Sequence, residues 1–179
     1  MMIALAILVA LAASVAILFS GYRPGPLAES ILSDREQALV AAVADAFFPP
    51  RGPIAVSGTE AGLVAYFDGY LRRSEPLPRF MIRLLLVYTE LSPLLFGPRR
   101  VRFTRLTQEE QLAALEGAGT SDIYFRRVTF ISMRAVMTMG YLAHPQVAAA
   151  MRMKADTDPF GIGDRTLEVT PVRYSKEAP

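Results

Sequence analysis

The chain has 179 residues, a formal net charge of +2, no cysteine and a single histidine, His144. This length suits one domain with a substantial core, and the small net charge argues against a dedicated nucleic-acid binder. The lack of cysteine excludes disulfides, cysteine-ligated iron–sulfur clusters and cysteine-based zinc sites. A single histidine excludes a metal site built on a histidine pair within one chain.

Residues 1–19, MMIALAILVALAASVAILF, carry no charged side chain. As a helix rising about 1.5 Å per residue, they would extend roughly 28 Å, enough for a bilayer core. We therefore predict a single-pass transmembrane anchor over residues 1–21, in the inner (plasma) membrane. A cleaved signal peptide with a small-x-small site at residues 14–16 and a buried core helix are the alternatives. Arg23 follows the apolar segment, and as a single basic residue it only weakly favours a domain on the cytoplasmic side, so we assign no side of the membrane to the domain.

Two capping boxes mark helix starts in the remainder of the chain. Ser33 is followed three residues later by Glu36, and Thr107 by Glu110. In this motif the hydroxyl accepts a hydrogen bond from the third helical amide, and the carboxylate accepts one from the cap amide. The first of these helices is predicted to end before Pro49, because proline cannot continue the hydrogen-bond ladder.

Further helices are predicted from apolar periodicity and from proline and glycine boundaries, over residues 59–73, 79–96, 120–145 and 146–153. The segment over 79–96 is apolar nearly all round, which is typical of a core helix. Residues 154–179 have no helical period, and we predict an irregular C-terminal arm there, with one short strand at 167–169. The fold class is therefore all-α, a compact bundle of five or six helices over residues 22–153.

The helix predicted over 120–145 is expected to be the centre of the domain, buried on more than one side. One apolar stripe runs through Tyr124, Val128, Ile131, Ala135 and Leu142, and a second through Phe130, Met133, Met137 and Tyr141. The helix also carries three arginines, which either contact carboxylates of a partner subunit or reach solvent along their stems: Arg126, Arg127 and Arg134.

A basic loop precedes the fourth predicted helix and contains Arg99, Arg100, Arg102 and Arg105. Three interpretations fit this loop: a solvated linker, a contact with anionic lipid headgroups beside the anchor, and a docking site for an acidic partner.

No set of residues typical of catalysis, cofactor binding or metal binding is found in the sequence. His144 precedes Pro145 at a predicted helix end, where it can cap carbonyl groups. Serine and threonine stand mostly at helix caps, and none lies near a base in sequence. We therefore predict that this chain has no catalytic, cofactor or metal site and that it is not an enzyme.

Several short phrases in a fixed order resemble a known family. They are FFPP at the end of the first helix, SGTEAGLVAYFDGYL, FTRLTQEEQLAAL, and MGYLAHPQV at the end of the arginine-bearing helix. Over residues 30–150 this order is similar to the gluconate 2-dehydrogenase subunit 3 family, the small non-flavin partners of membrane-associated GMC-type dehydrogenases.

The resemblance implies an accessory subunit that has no cofactor of its own. It would bind and stabilise a large FAD-containing dehydrogenase subunit, whose electrons pass to a cytochrome or quinone. Many members of the family begin with a twin-arginine export signal, whereas no Arg-Arg pair precedes the apolar stretch here. A membrane anchor that holds the dehydrogenase at the membrane therefore fits this chain better than escort through export.

The alternative function is a stand-alone, membrane-tethered helical protein that binds lipid or a lipophilic ligand. Five methionines could line an adaptable pocket for it, or could simply fill the core: Met133, Met137, Met139, Met151 and Met153.

Overall fold

The computed structural model describes residues 20–97 and 99–155, and only the backbone of residues 152–155. Within these ranges the chain is all-helical, with six α-helices, one 3₁₀ turn and no strand. The elements are α1 (Asp34–Phe47), α2 (Leu63–Arg73), α3 (Pro76–Phe96), the 3₁₀ turn (Phe103–Arg105), α4 (Gln108–Gly119), α5 (Tyr124–Leu142) and α6 (Pro145–Ala155). The all-α prediction is confirmed for the described residues.

The anchor and arm predictions fall largely outside the described ranges. Residues 1–19 and 156–179 are not described, so the transmembrane helix, most of the C-terminal arm and the strand at 167–169 lie outside them. Of the described helices, none combines the length and the apolar character needed to cross a membrane.

The central helix is α1, which packs against α2, α3, α4, α5 and the 3₁₀ turn. Its core side chains are short, and Val40, Val43 and Ala44 have no exposed surface. Short side chains let neighbouring helices approach closely from several directions. The expectation that the helix predicted over 120–145 forms the centre is therefore not met. That segment became α5, which packs on α1, α2, α4 and α6 and leaves one side uncovered.

Both predicted capping boxes are confirmed. The Ser33 amide donates to Oε2 of Glu36 at 2.8 Å, and the Glu36 amide donates to Oγ of Ser33 at 3.4 Å. The Thr107 amide donates to Oε2 of Glu110 at 2.9 Å, and the Glu110 amide returns to Oγ1 of Thr107 at 3.3 Å. Each box fixes the entry of the chain into a helix that packs on the core.

Three predicted helix starts are wrong. The third helix was predicted from residue 79, but α3 begins at Pro76, because proline is accepted in the first helical turn. The other two begin later than predicted. The second helix was predicted from residue 59, but Gly62 adopts a left-handed conformation with φ 73°, and α2 begins only at Leu63. The fifth was predicted from residue 120, but the Thr120 amide donates to the Glu116 carbonyl at 3.1 Å and ends α4 instead. In both places a local turn uses the polar residues before the helix starts.

Gly140 lies inside α5 rather than at its end. A Cβ atom there would come within 2.5 Å of the Tyr66 ring and 2.7 Å of the Leu63 side chain, both on α2. This glycine therefore allows close packing of α5 on α2, which explains why it does not mark a helix boundary.

Candidate functional site

The outward side of α3 is apolar, and it is exposed over the first half of the helix and again at Leu95. Leu77 is 71% exposed, Phe80 is 62% exposed and Leu95 is 74% exposed. Since an α-helix turns about 100° per residue, these positions share one face, and at about 1.5 Å per residue the first and last lie roughly 27 Å apart. We call this face the α3 stripe, and its exposed members are Leu77, Phe80, Met81, Leu84 and Leu95.

The side of α3 that faces the core is less apolar than its outer side. Its buried residues are Leu86, Thr89, Glu90 and Pro93. The prediction that this segment is a core helix is therefore wrong for its outward side, whereas half-buried residues between the two sides, such as Ile82, pack partly against the core.

On α5 an apolar stripe that was predicted to be covered is exposed instead. The predicted stripe through Tyr124 and Ile131 points outward, with exposures of 72% and 62%, and Leu142 and Met139 are also exposed. The core face of α5 is the second predicted stripe, in which Met133, Met137 and Tyr141 are buried. The expectation that α5 is covered on more than one side is therefore wrong within the described residues. We call the outward side chains the α5 stripe: Tyr124, Ile131, Met139 and Leu142.

The helices α3 and α5 contact each other at the start of α5. The Phe125 ring packs edge-on against the ring of Tyr88 on α3, with centroids 4.8 Å apart. Beside it, the Arg126 guanidinium lies 4.3 Å from the ring centroid of Phe96. Aromatic and cation–π contacts thus join the two helices, and Phe125 covers the outward face of α3 at Tyr88.

Two of the three arginines predicted as partner contacts are engaged within the chain. Arg126 donates to Oγ of Ser121 at 3.3 Å besides covering Phe96. Arg127 donates to the Ser121 carbonyl at 2.6 Å. Arg134 is exposed, and among the described residues it has no hydrogen-bond or ion-pair partner. Arg134 is therefore the member of this set that is best disposed to meet another molecule.

Arg134 lies at the rim of an open cleft between α1, α4 and α5, next to the α5 stripe. The cleft has a volume of about 420 Å³ and combines aromatic rings with one acidic and one basic side chain. It is lined by Phe47, Phe48, Leu112, Glu116, Phe130, Arg134 and Thr138. A cleft of this composition offers apolar contact area with a charged edge.

The basic loop separates into surface and interior positions. Arg100 and Arg105 are exposed, and Arg99 is exposed but pairs with Glu110 at 3.3 Å. Arg102 is buried, with only 5% of its surface exposed. Arg102 therefore acts inside the fold, whereas the other three remain available at the surface.

Arg102 belongs to a polar cluster that binds the first described residues of the chain, and we call this cluster the N-terminal clamp. Both terminal nitrogens of Arg102 donate to the Ser20 carbonyl at 3.1 Å, and its guanidinium lies 4.6 Å from the Tyr22 ring centroid. Tyr22 Oη donates to Oε1 of Glu90 at 2.5 Å. Thr104 also donates to Glu90, from its hydroxyl at 2.7 Å and from its amide at 3.2 Å.

The clamp supplies hydrogen bonds to the carboxylate of Glu90, which is almost fully buried and only 1% exposed. A buried carboxylate is costly unless hydrogen bonds and a nearby cation compensate it, and the Arg102 Nε lies 3.9 Å from Glu90. Burial, followed by the hydrogen bond to Glu90 and its negative charge, raises the pKa of Tyr22 to about 12. Tyr22 therefore stays protonated at neutral pH and keeps donating to Glu90.

This clamp was not predicted from the sequence, although one signal for it was present. A single carboxylate within an otherwise apolar helix needs partners if it is buried. The partners could not be identified from the sequence, because Tyr22 lies 68 positions from Glu90 along the chain.

One apolar cavity in the described part of the bundle is too small for a ligand. This cavity between α3, α4 and α5, which Met133 helps to line, has a volume of about 20 Å³, and roughly 10–15 Å³ is needed for one water molecule. Met137 is buried, whereas Met139 and Met151 are exposed, at 51% and 46%. The methionines predicted as a pocket lining are therefore not gathered around one cavity. The side chain of Met153 is outside the described set.

Over residues 20–97 and 99–155, no group of three or more histidine, cysteine, aspartate or glutamate side chains is arranged to hold a metal ion. The Nδ1 atom of His144 is buried and has no hydrogen-bond partner in this part of the chain.

Comparison with known proteins gives no relative from which a function could be transferred: no family model, no curated protein and no solved structure matches this chain.

Proposed function

We propose that this chain is a non-catalytic, membrane-anchored accessory subunit of an FAD-dependent dehydrogenase of the GMC type. In this proposal residues 1–21 anchor the subunit, and the helical domain binds and stabilises the flavoprotein. FAD is held by the large subunit, which passes its electrons to a cytochrome or quinone acceptor. The resemblance over residues 30–150 suggests this class of partner.

The observation that carries the proposal is the inversion of α5, whose stripe is exposed while its other face forms the core. A monomeric soluble protein rarely exposes a contiguous apolar patch of more than a few hundred Å² without using it. Exposed aromatic and aliphatic side chains beside arginine are typical of the central part of a protein–protein interface. The α5 stripe, with Tyr124 at its start, Ile131 near its middle and Arg134 at its edge, has this character.

The charge of this face fits a partner that presents carboxylates. Arg134 has no partner among the described residues, and the exposed stripe of α5 has no acidic side chain in it. A guanidinium that is covered by a partner surface needs a carboxylate or carbonyl acceptor there. We therefore expect the flavoprotein surface opposite α5 to be apolar, with at least one acidic residue at its edge.

The test is purification of the tagged full-length chain from its native membranes in a mild detergent. A copurifying protein with flavin absorbance, present in stoichiometric amount, is the expected result. Recovery of a stable solitary monomer without flavin, from membranes that contain the dehydrogenase, would refute the proposal. An Ile131→Glu chain should lose the flavoprotein, whereas a chain with the same charge change at Ala65, exposed on α2, should retain it.

A further inference from the structure

The N-terminal clamp fixes the place where residues 1–19 join the folded domain. The Ser20 carbonyl is bound by Arg102, and Tyr22 is bound by Glu90 of α3. Between them Gly21 has a φ of 78°, a left-handed conformation that glycine adopts without strain. The apolar segment therefore begins within one residue of a point that is held against α3.

The outer face of α3 is close to this point. Glu90 lies on the inner side of α3, and an α-helix with its side chains is only about 10 Å across. Along α3, Leu84 and Leu95 are six and five residues from Glu90, so at about 1.5 Å per residue they lie roughly 8–9 Å along the helix from the clamp, on the other side of the helix. The exposed Arg105 also lies at the exit, since a Cβ atom on Gly21 would be 3.6 Å from its Nη2.

The chemistry of the α3 stripe suits a lipid surface. Exposed Leu77, Phe80 and Leu84 follow the helical repeat, and the only carboxylate of this helix, Glu90, is buried on the opposite side. The two arginines of α3 point away from the stripe, because Arg79 donates to the Leu71 carbonyl and Arg83 to the Ile31 carbonyl. An exposed apolar helix face with basic residues nearby can lie in the headgroup region with that face in the acyl boundary.

We propose that the α3 stripe lies in the interface of the bilayer that residues 1–19 enter, with Arg105 among the headgroups. This inference rests on the membrane anchoring in the proposed function, but not on the identity of the enzyme partner. It assigns α3 to lipid and leaves α5 for the flavoprotein. The two exposed stripes therefore have different occupants.

The chain has no cysteine, so a single introduced cysteine can be labelled without altering native residues. Leu84→Cys reports on the α3 stripe, Ile131→Cys on the α5 stripe, and Ala65→Cys on exposed α2. Each full-length chain would carry an environment-sensitive fluorophore and be reconstituted into phosphatidylcholine–phosphatidylglycerol vesicles. Lipids with a nitroxide on the acyl chain would then serve as quenchers. We expect several-fold stronger quenching at position 84 than at positions 65 and 131.

Equal quenching at positions 84 and 65 would overturn the inference. A label at position 84 that is shielded from water but not quenched by lipid would also overturn it. That result would indicate that protein, either residues 1–19 or a second copy of the chain, covers the stripe. Thermal unfolding of each labelled chain verifies that the fold is retained.

Failure of this inference can be distinguished from failure of the proposed function. If the Leu84→Cys chain floats with vesicles and retains the flavoprotein but is not quenched, only the placement of α3 is wrong. If the chain does not float with vesicles at all, the membrane anchor of the proposed function is wrong as well. If it floats and is quenched but binds no flavoprotein, the placement of α3 stands and the enzyme partner is wrong.

Discussion

Tyr22 and Glu90 lie 68 positions apart in the chain, and the phenol of one donates a 2.5 Å hydrogen bond to the carboxylate of the other. This bond closes a contact between the start of the folded domain and the middle of α3. Because Arg102 and Thr104 bind the same group of residues, the contact is part of a connected polar cluster rather than an isolated pair.

The clamp gives stability a dependence on alkaline pH. The pKa of Tyr22 in the folded chain is raised from 10.0 to about 12. The unfolded state therefore loses the phenolic proton first, and the contribution of Tyr22 is fully present below pH 10 and is lost between pH 10 and about 12. Denaturant titrations at increasing pH should show this loss, and a Tyr22→Phe chain should show a smaller alkaline decrease. Burial also raises the pKa of Tyr141, so part of the decrease should persist in that variant.

Asp68→Asn is expected to destabilise the domain. Asp68 accepts hydrogen bonds from Ser30 Oγ at 2.6 Å, the Ile31 amide at 2.9 Å and Arg72 Nε at 2.6 Å. Burial alone would raise the pKa of Asp68, but these hydrogen bonds together hold it below its ordinary value. Loss of the charge should cost about 1–3 kcal/mol of the free energy of unfolding.

The control for this prediction is Asp122→Asn, because Asp122 is an exposed aspartate. It should change the free energy of unfolding by less than about 0.5 kcal/mol. Equal effects of the two substitutions would contradict the assigned role of Asp68 in holding residues 30 and 31 against α2.

Gly58→Ala and Gly117→Ala should have opposite effects on stability. A Cβ atom on Gly58 would be 2.4 Å from the backbone oxygen of Ala44 in α1, so either the loop or α1 must shift. We expect a loss of about 1–3 kcal/mol. Gly117 is exposed within α4 and nothing lies within 4 Å of its added Cβ, so alanine there should gain about 0.5–1 kcal/mol through helix propensity. Thermal or denaturant unfolding measures both changes.

Arg134→Ala and Arg126→Ala should separate binding from stability. Arg134 is exposed at the rim of the cleft, so its loss should weaken retention of the flavoprotein and leave the unfolding transition unchanged. Arg126 packs over Phe96, and its loss should cost about 0.5–1 kcal/mol of stability. Copurification and unfolding would be measured for both chains. An unchanged complex with Arg134→Ala would identify that residue as ordinary surface.

Local chemistry was predictable from the sequence, but the direction in which the helices face was not. The capping boxes at Ser33 and Thr107 depend on residues three positions apart, and both formed as predicted. Periodicity identified the two apolar stripes of α5 and showed α3 as apolar nearly all round, but it cannot tell whether the core, a lipid surface or another protein covers a stripe. On α5 the stripe through Tyr124 and Ile131 faces outward, and the stripe through Met133 and Met137 forms the core face.

Long-range partners account for the remaining differences. Glu90 became a buried residue because Tyr22 and Thr104 approach it, and neither lies within a helical turn of it in sequence. Arg102 was predicted as a surface contact for the same reason, since its position in a basic loop gives no sign of the Ser20 carbonyl that it binds. Whether Glu90 and Arg102 are buried depends on the packing of α3 against the 3₁₀ turn, which is a property of the folded chain.

The clamp also determines where the chain can be shortened. A form that starts at Ser20 keeps the carbonyl bound by Arg102 and the phenol bound by Glu90. A form that starts at Pro24 uncovers a carboxylate and a guanidinium that are both almost fully buried in the intact domain. Residues 20–23 therefore decide whether a form without the apolar segment folds as the intact domain does.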